Sequence, residues 1–312
     1  MTAATVLIPT HSHALTLPHA VAGVLAQTCE DFELFIVGDG ASEAVRACAQ
    51  QLAQTDARIR FFDFPKGPRK GEVHRHAALA EARGRFVAYC GDDDFWLPEH
   101  LATLDALLAD ADFGHTLHIG IDAAGKLFAL PADLEQPEFR ARMVKEQFNR
   151  FDLTFGAHTL AAYRRLPRGW DVTPVDEQWS DLYLWRQFLG QPWCRARSAL
   201  VPTGICTQTC LRPHLTDQQR ADELALWRAR SREPDFRETL WRLAATSLAH
   251  HAVEEEMLAS AGWLSYFLRK VWHRIAAHLP PRLCQYGRVA PPPLIAPDHP
   301  RDDTIIRPLA RR

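Results

Sequence analysis

Three consecutive aspartates, Asp92 to Asp94, are the residues whose type and spacing most clearly indicate chemistry in this chain. They follow an apolar run, residues 86–90, that is typical of a buried strand. Like charges repel at this range, and burying them is costly unless a positive group lies beside them. A divalent cation, Mg²⁺ or Mn²⁺, would provide that charge and could hold a substrate's phosphates. The alternative is a solvated acidic loop with an aspartate that caps the next helix.

Further candidate binding residues follow the first and second predicted strands. Pro9, Thr10 and His11 come after the first strand, and Asp39 comes after the second in a Gly-Asp-Gly turn. The carboxyl ends of parallel strands share one edge of the sheet, so these residues and the triple aspartate should meet there. Ligands bind at that edge in such sheets. That convergence favours a site for a metal ion and a nucleotide. The alternatives are ordinary turn chemistry for Asp39 and loop surface for Thr10 and His11.

The elements that must position these residues alternate between strand and helix along the first part of the chain. The predicted strands are 5–8, 33–37, 58–62 and 86–90, and the predicted helices are 17–27, 42–54, 72–82 and 98–109. Farther on, residues 113–121 and 126–130 indicate a hairpin, and 180–189 a helix. Ser42 and Ser180 are the predicted N-caps of their helices. The order predicts an α/β fold with a mostly parallel central sheet flanked by helices.

Composition restricts the class of protein. The chain has 312 residues, 47% of them hydrophobic, which is enough for a substantial core. Its net charge of −2 gives no field that would attract nucleic acid, so no nucleic-acid partner is expected. Seven cysteines without paired spacing fit a reducing compartment. We see no secretory signal and no apolar run long enough to span a bilayer, and therefore expect a cytoplasmic protein.

Three segments resemble family 2 glycosyltransferases, which have the GT-A fold. They are VLIPTHS, AVAGVLAQTCEDFELFIVGDGAS and HRHAALAEARGRFVAYCGDDDFWLP, in the order and spacing of that family. The later segments FGAHTLAAYRR and DEQWSDLYLWRQF resemble its acceptor-side region more loosely. The resemblance covers about residues 4–215 and implies inverting transfer of a sugar from a nucleotide-sugar to an acceptor hydroxyl. It also implies a nucleotide-sugar-binding half at 1–110 and an acceptor-side half of the same domain at 111–232.

The resemblance assigns the nucleotide pocket residue by residue. It implies that Thr10 and Asp39 contact the base, typically uracil, with Pro9 and His11 beside them. Arg75 matches an arginine on the phosphate or base side of the nucleotide. Without the resemblance, Arg75 would be read as a charge on a helix surface.

The resemblance also assigns a different role to each of the three acids. Asp92 matches the acid that contacts the donor ribose and sugar, and Asp93 the acid that holds Mn²⁺ or Mg²⁺ on the diphosphate. Asp94 either orients its neighbours or touches the donor sugar. His214 lies where the family often has a loop that closes over the donor, and is a candidate metal or phosphate contact; the alternative is a surface histidine.

One carboxylate must take the proton of the acceptor hydroxyl in an inverting transfer. In the family this base is an Asp at the start of a helix, and Asp181 holds that position here. The alternative for Asp181 is a favourable interaction with the helix dipole, and Asp176 and Glu177 are nearby competitors. His158 lies either near the acceptor or beneath the site as a structural histidine.

Departures from the family keep other functions open. Gly38 and Gly91 stand where many members have acids, which allows a catalytically silent GT-A domain that binds nucleotide-sugar or a partner enzyme as a scaffold. His11 and Ser12 replace a common Tyr-Asn pair. A nucleotidyltransferase ranks last, because the residues after the first strand lack its Gly-rich, basic loop.

The predicted C-terminal part is a helical extension, 233–280, and a Pro-rich tail, 281–312. Within it, residues 261–279 have an apolar helical face rich in Trp and Phe opposite a basic face. Such a helix suits peripheral contact with the inner face of a membrane, and hence a lipid-linked acceptor. The alternatives are packing on the catalytic domain or on a second subunit in a homodimer. The expected partners are therefore a nucleotide-sugar donor and a saccharide or lipid-linked acceptor, as in synthesis of surface polysaccharide or glycolipid.

Overall fold

The computed structural model describes residues 2–207 and 209–260. The strands in chain order are β1 (Ala4–Thr10), β2 (Phe32–Asp39), β3 (Ile59–Phe64), β4 (Phe86–Tyr89), β5 (Phe95–Trp96), β6 (Phe113–Ile121), β7 (Leu127–Leu130), β8 (Gly156–Thr159), β9 (Ala196–Pro202) and β10 (Gly204–Ile205). The α-helices are α1 (Leu17–Leu25), α2 (Glu43–Thr55), α3 (Glu72–Leu79), α4 (His100–Leu107), α5 (Pro137–Lys145), α6 (Leu160–Arg164), α7 (Ser180–Leu189), α8 (Asp217–Arg230) and α9 (Phe236–Ser260).

One large sheet has the strand order β3-β2-β1-β4-β8-β6-β7, with β9 also paired to β6. The first four strands in this order are parallel, whereas β8 runs antiparallel to both β4 and β6. Every residue of β2 and all but one of β1 are buried, as expected of central parallel strands covered on both faces. The predicted α/β fold with a mostly parallel sheet is confirmed.

The core lies on the two faces of this sheet, and the side chains of β1 alternate between them. Leu7 packs with apolar residues of α3 and α7, while Val6 and Ile8 pack with those of α1, α2 and α4. A third apolar cluster joins the short sheet of β5 and β10 to α8 and α9. This packing fixes the carboxyl ends of β1, β2 and β4 at one edge of the molecule.

Two local predictions have different outcomes. Ser42 is the N-cap of α2, and its hydroxyl accepts a hydrogen bond from the Val45 amide at 3.3 Å, as predicted. Ser180 is not a cap: it is the first residue of α7, and Trp179 before it has the extended backbone of the cap position.

The predicted hairpin is confirmed as β6 and β7, but β5, β10 and α5 were missed. Strands of two residues are too short to leave a periodic signal.

The chain divides into two compact units, residues 1–247 and 248–312. The first contains all the strands described above and both predicted halves of the GT-A domain. Of the second, the structure describes the end of α9, and the predicted amphipathic helix 261–279 lies outside the described residues. Among the helices that are described, none combines the length and apolar character needed to cross a membrane.

The close approach of Gly84 to β1 gives a test of the packing. A methyl group on Gly84 would overlap the backbone nitrogen of Thr5. We expect Gly84→Ala to lower the free energy of unfolding in urea by about 1–3 kcal/mol, since strand backbone must shift. Gly23→Ala is the matched control, because its nearest neighbours lie 3.5 Å away and the residue is inside α1. That control should be neutral or up to about 1 kcal/mol stabilising, so equal stability of the two variants would contradict the packing.

Candidate active site

A cleft of about 270 Å³ opens at the carboxyl edge of β1, β2 and β4. Six residues predicted for the nucleotide site line it: Pro9, Thr10, His11, Asp39, Arg75 and Asp92. Lys66, Arg69 and Lys70 also line it, from the loop between β3 and α3. With Arg75 they place four cationic side chains on walls that carry two acids. The cleft therefore has the charge to bind an anion such as a phosphorylated ligand.

Asp39 is held in place at the end of β2. Its carboxylate accepts hydrogen bonds from the Lys66 ammonium at 2.5 Å and from the Gly67 amide at 2.6 Å. Its backbone carbonyl lies 2.7 Å from Nδ1 of His11. A side chain at Gly71 would overlap the Asp39 carboxyl, so the loop from residue 66 to 71 packs directly on this acid. Sequence reasoning missed Lys66, whose contact with Asp39 joins the end of β2 to the loop after β3, 27 residues later.

Arg75 is a buried cation on α3, with only 6% of its surface exposed. Its Nη2 donates to the backbone oxygen of Lys70 at 2.8 Å, while Nε and Nη1 have no hydrogen-bond partner in the described part of the chain. Burial lowers the pKa of Arg75, and the charges of Glu72, Asp181 and Asp39 oppose that shift. The reading as a helix-surface charge is therefore wrong. A buried guanidinium with unused donors beside a cleft is suited to a phosphate.

His13 joins the first two aspartates, a contact that sequence reasoning missed. Its Nδ1–H donates to Oδ1 of Asp92 at 2.9 Å, and this bond, together with the charges of Asp92 and Asp93, raises the pKa of His13 to about 9. Candidate ligand atoms of His13, Asp92 and Asp93 all lie within 4.8 Å of one another. The available signal was the His-Ser-His spacing directly after β1, next to the acids that follow β4.

The chemistry of this donor set fits a divalent cation. Burial and the charge of Asp92 raise the pKa of Asp93, so positive charge is favoured beside it. The two carboxylates suit Mg²⁺ or Mn²⁺, and His13 could join them as a ligand only in its neutral form. The exposed side chain of His214 belongs neither to this group nor to the second group of metal-capable residues among those described, Asp94, Asp152 and Cys206. A metal-binding role for His214 therefore stays a prediction.

Asp94 is not among the residues that line the cleft, and its carboxylate is hydrogen-bonded to two other segments. Its Oδ1 accepts from the Thr207 amide at 2.9 Å, and its Oδ2 is hydrogen-bonded to the Thr154 hydroxyl. Burial and the charge of Asp93 raise the pKa of Asp94 well above its usual range. A side chain at Gly91 would approach Oδ2 of Asp94 too closely. Gly91 therefore leaves room for this carboxylate, and a larger residue there would displace the Asp94 side chain.

Asp181 lies in the first turn of α7 and is 8% exposed. Its Oδ1 accepts from the Leu182 amide at 2.8 Å, and its Oδ2 accepts from Nδ2 of Asn149 at 3.1 Å. Burial, with a contribution from the charge of Asp152, raises the pKa of Asp181 to about 6. A carboxylate with this pKa can accept a proton near neutral pH more readily than an exposed one.

The competing candidates are placed differently. Asp176 is exposed, and Glu177 forms an ion pair with Arg186. His158 is fully buried, and its Nε2 lies 2.7 Å from the Tyr89 hydroxyl. Burial lowers the pKa of His158 to about 3, which makes it a neutral structural histidine.

Comparisons with curated proteins give partial matches. The GalNAc(5)-diNAcBac-PP-undecaprenol beta-1,3-glucosyltransferase of Campylobacter jejuni is 29% identical over 102 residues, 32% of this chain and 32% of that protein. The UDP-Glc:alpha-D-GlcNAc-diphosphoundecaprenol beta-1,3-glucosyltransferase WfgD of Escherichia coli is 26% identical over 96 residues, 31% and 37% of the two chains. Succinoglycan biosynthesis protein ExoW of Rhizobium meliloti is 32% identical over 130 residues, 41% and 40%. The matches thus span well under half the length of these relatives.

Solved structures support the fold. Staphylococcus aureus TarS superposes with a TM-score of 0.51 at 13% identity, over 73% of this chain and 43% of TarS. Residues 1–349 of TarS give a TM-score of 0.50 at 14% identity, over 66% and 61%. At these identities the likeness concerns the fold, and it confirms the GT-A architecture. The model of the family described as glycosyl transferase family 2 matches residues 5–167, just over half of the sequence, and the chain therefore belongs to that family.

Proposed function

We propose that this protein is an inverting, metal-dependent glycosyltransferase that uses a UDP-sugar and an acceptor hydroxyl. The observation that carries the proposal is the cleft at the carboxyl edge of the sheet. There Arg75, which has no ion pair among the described residues, lies beside the acids that follow β2 and β4. Such an edge matches a ligand with a sugar, a diphosphate and a base. The name of WfgD, which gives UDP-Glc as its donor, supports uridine as the nucleoside.

The donor would be held by charge of opposite sign on its diphosphate. Arg75 supplies the N–H groups of Nε and Nη1, which have no partner among the described residues, and Lys66, Arg69 and Lys70 add positive charge from the loop. Asp93, with Asp92 and His13, would hold Mn²⁺ or Mg²⁺. Such an ion would offset the negative charge that develops on the leaving diphosphate. Asp39 and Thr10 line the same cleft, the buried Thr10 hydroxyl has no partner among the described residues, and both would contact the base.

The chemical step assigned to the chain's own residues is one proton transfer. The acceptor oxygen forms a bond to the anomeric carbon as the bond from that carbon to the diphosphate oxygen breaks. Asp181 takes the proton of the acceptor hydroxyl, and the nucleoside diphosphate leaves with the bonding electron pair. The configuration at the anomeric carbon is inverted, and no covalent enzyme intermediate is needed.

The acceptor we propose is a saccharide, carried on a lipid diphosphate, in the synthesis of polysaccharide or glycolipid. Two relatives have undecaprenol-linked acceptors in their names, and a third is named for succinoglycan biosynthesis. The basic amphipathic pattern of residues 261–279 is consistent with work at a membrane surface.

A donor panel tests the proposal directly. UDP-glucose, UDP-galactose, UDP-N-acetylglucosamine and GDP-mannose would each be incubated with Mn²⁺, Mg²⁺ or EDTA, and with a polyprenyl-diphosphate-linked or a lipid-free saccharide. Release of nucleoside diphosphate and the mass of the product are the readouts. We expect release of UDP that requires the metal and an acceptor.

The results separate the alternatives. UDP binding by calorimetry without turnover of any donor would favour the silent GT-A scaffold. Transfer from GDP-mannose alone would overturn the assignment of uridine, and full activity in EDTA would overturn metal dependence. Turnover of the lipid-free saccharide at the same rate would show that the acceptor does not need a lipid.

A further inference from the structure

Trp170 lies just beyond the segment matched by the family model and directly against Arg75. The Arg75 guanidinium carbon is 4.7 Å from the centre of the indole ring, and Trp170 is 2% exposed. A guanidinium over an aromatic face is attracted by the ring's negative π surface. The ring therefore stabilises this buried cation, which forms no ion pair within the described part of the chain.

This form of stabilisation leaves the donors of Arg75 unused. A carboxylate partner would accept the N–H groups that point to it, but the π face attracts the charge as a whole. Only Nη2 is engaged, by the Lys70 carbonyl, while Nε and Nη1 have no partner among the described residues. Arg75 is thus held in position and yet keeps hydrogen-bonding capacity for a ligand in the cleft.

The indole ring is itself fixed on several sides. Its Nε1–H donates to the Tyr89 hydroxyl at 2.9 Å, and the backbone N–H of Trp170 donates to the Tyr163 hydroxyl at 2.9 Å. Gly169 has a φ of +67°, and a side chain there would overlap the Tyr163 hydroxyl. The Gln187 amide bonds to both the N–H and the carbonyl of Gly169, at 3.1 and 2.8 Å. These contacts leave the ring little freedom to follow a moving arginine.

The same segment also holds the helix that carries Arg75. The Thr173 hydroxyl donates to Oε1 of Glu72 at 2.6 Å, in the first turn of α3. Oε2 of Glu72 in turn accepts from the Lys70 amide at 3.0 Å, in the cationic loop. Residues 169–173 therefore contact α3 both at its start and beneath Arg75.

We propose that Trp170 is a positioning residue for the donor diphosphate: it holds Arg75 with its unused N–H groups available to the phosphate oxygens. The inference rests on the proposed role of Arg75 in the donor site. Trp170 makes no contact with the ligand in this arrangement and acts through the arginine alone.

Calorimetric titration with UDP and with uridine, at constant Mn²⁺, tests the idea. We expect Trp170→Leu to weaken UDP binding by about tenfold, the scale of a desolvated cation–π contact, with uridine binding unchanged. Trp170→Phe retains a ring face that attracts the cation less strongly than indole does, and should weaken UDP binding by less than Trp170→Leu. Trp193→Leu is the matched control, because it removes an indole that lies 3.8 Å from the Arg165 guanidinium, away from the cleft lining. Its UDP affinity should equal that of the wild type.

A double-mutant cycle with Arg75→Met separates the possible failures. If Trp170 acts through Arg75, Trp170→Leu should weaken UDP binding in the wild-type background and have no effect in the Arg75→Met background, and the smaller effect of Trp170→Phe should likewise disappear there. Equal effects in both backgrounds would overturn the inference. If Arg75→Met itself leaves UDP binding unchanged, the proposed donor site fails instead. Thermal unfolding of each variant identifies loss of folding, and if Trp170→Leu does not fold, the Phe cycle decides.

Discussion

Replacement of Asp181 by asparagine is expected to lower kcat by about 10²–10⁴-fold, the range for loss of a general base. Asparagine keeps the size of the side chain and can accept the Leu182 amide bond, but it cannot take a proton. The residues proposed to bind the nucleotide lie on other elements. The affinity for UDP in the presence of Mn²⁺ should therefore stay within about twofold of the wild type. A steady-state assay and a calorimetric titration on the same preparation measure the two effects.

The pH dependence provides a second readout of the same residue. The base acts when ionised, and burial raises the pKa of Asp181 to about 6 from its ordinary value of 3.8. We therefore expect kcat/KM to fall about tenfold per pH unit below about pH 6 and to level off above it. An exposed aspartate would keep activity level down to about pH 4.

Asp176→Asn is the control, because this acid is exposed and close in sequence. It should retain wild-type kcat and the same acid limb. Full activity in Asp181→Asn, or loss of activity confined to Asp176→Asn, would exclude Asp181 as the base.

Asp93→Asn is expected to remove the response to divalent cations. A neutral amide is a much weaker ligand for Mn²⁺ or Mg²⁺ than a carboxylate, and the ion would offset charge on the leaving group. Loss of this contribution should lower kcat/KM by about 10²–10³-fold. In the variant, UDP affinity with Mn²⁺ should equal its affinity in EDTA.

The neighbouring Asp94 provides the contrast. Both its oxygens are engaged by Thr207 and Thr154, and burial raises its pKa, so an uncharged amide of the same shape should be tolerated. We expect Asp94→Asn to keep stimulation by Mn²⁺ in the steady-state assay. Retained stimulation in Asp93→Asn, with loss in Asp94→Asn, would reverse the roles assigned to the two acids.

The part of the site that follows parallel strands could be predicted from sequence. Short apolar runs that alternate with segments of helical spacing identified β1 to β4. The carboxyl ends of parallel strands must share one edge of the sheet. Asp39 and Asp92 were therefore expected to meet, and they line one cleft. The same reasoning gave the helix that begins near Asp181.

Contacts made by turns and by distant segments could not be predicted in this way. His13 reaches Asp92 through the path of the turn after β1, and Lys66 reaches Asp39 from the loop after β3. Neither position is periodic, so no hydrophobic pattern marks it. Trp170 belongs to none of the segments that carry the family resemblance, and only the structure places its ring against Arg75.

The acids after β4 are hydrogen-bonded to residues that follow β10, much later in the chain. Thr207 bonds to Asp94 and to the Asp93 carbonyl, the Thr209 hydroxyl bonds to the Asp93 carboxylate, and β10 pairs with β5 directly after the acids. A fragment cut where the family match ends, at residue 167, would lack every one of these partners. The two halves are therefore not interchangeable modules. Exchanging the second half for that of a relative would therefore also alter groups that set the charge and geometry of the proposed donor site.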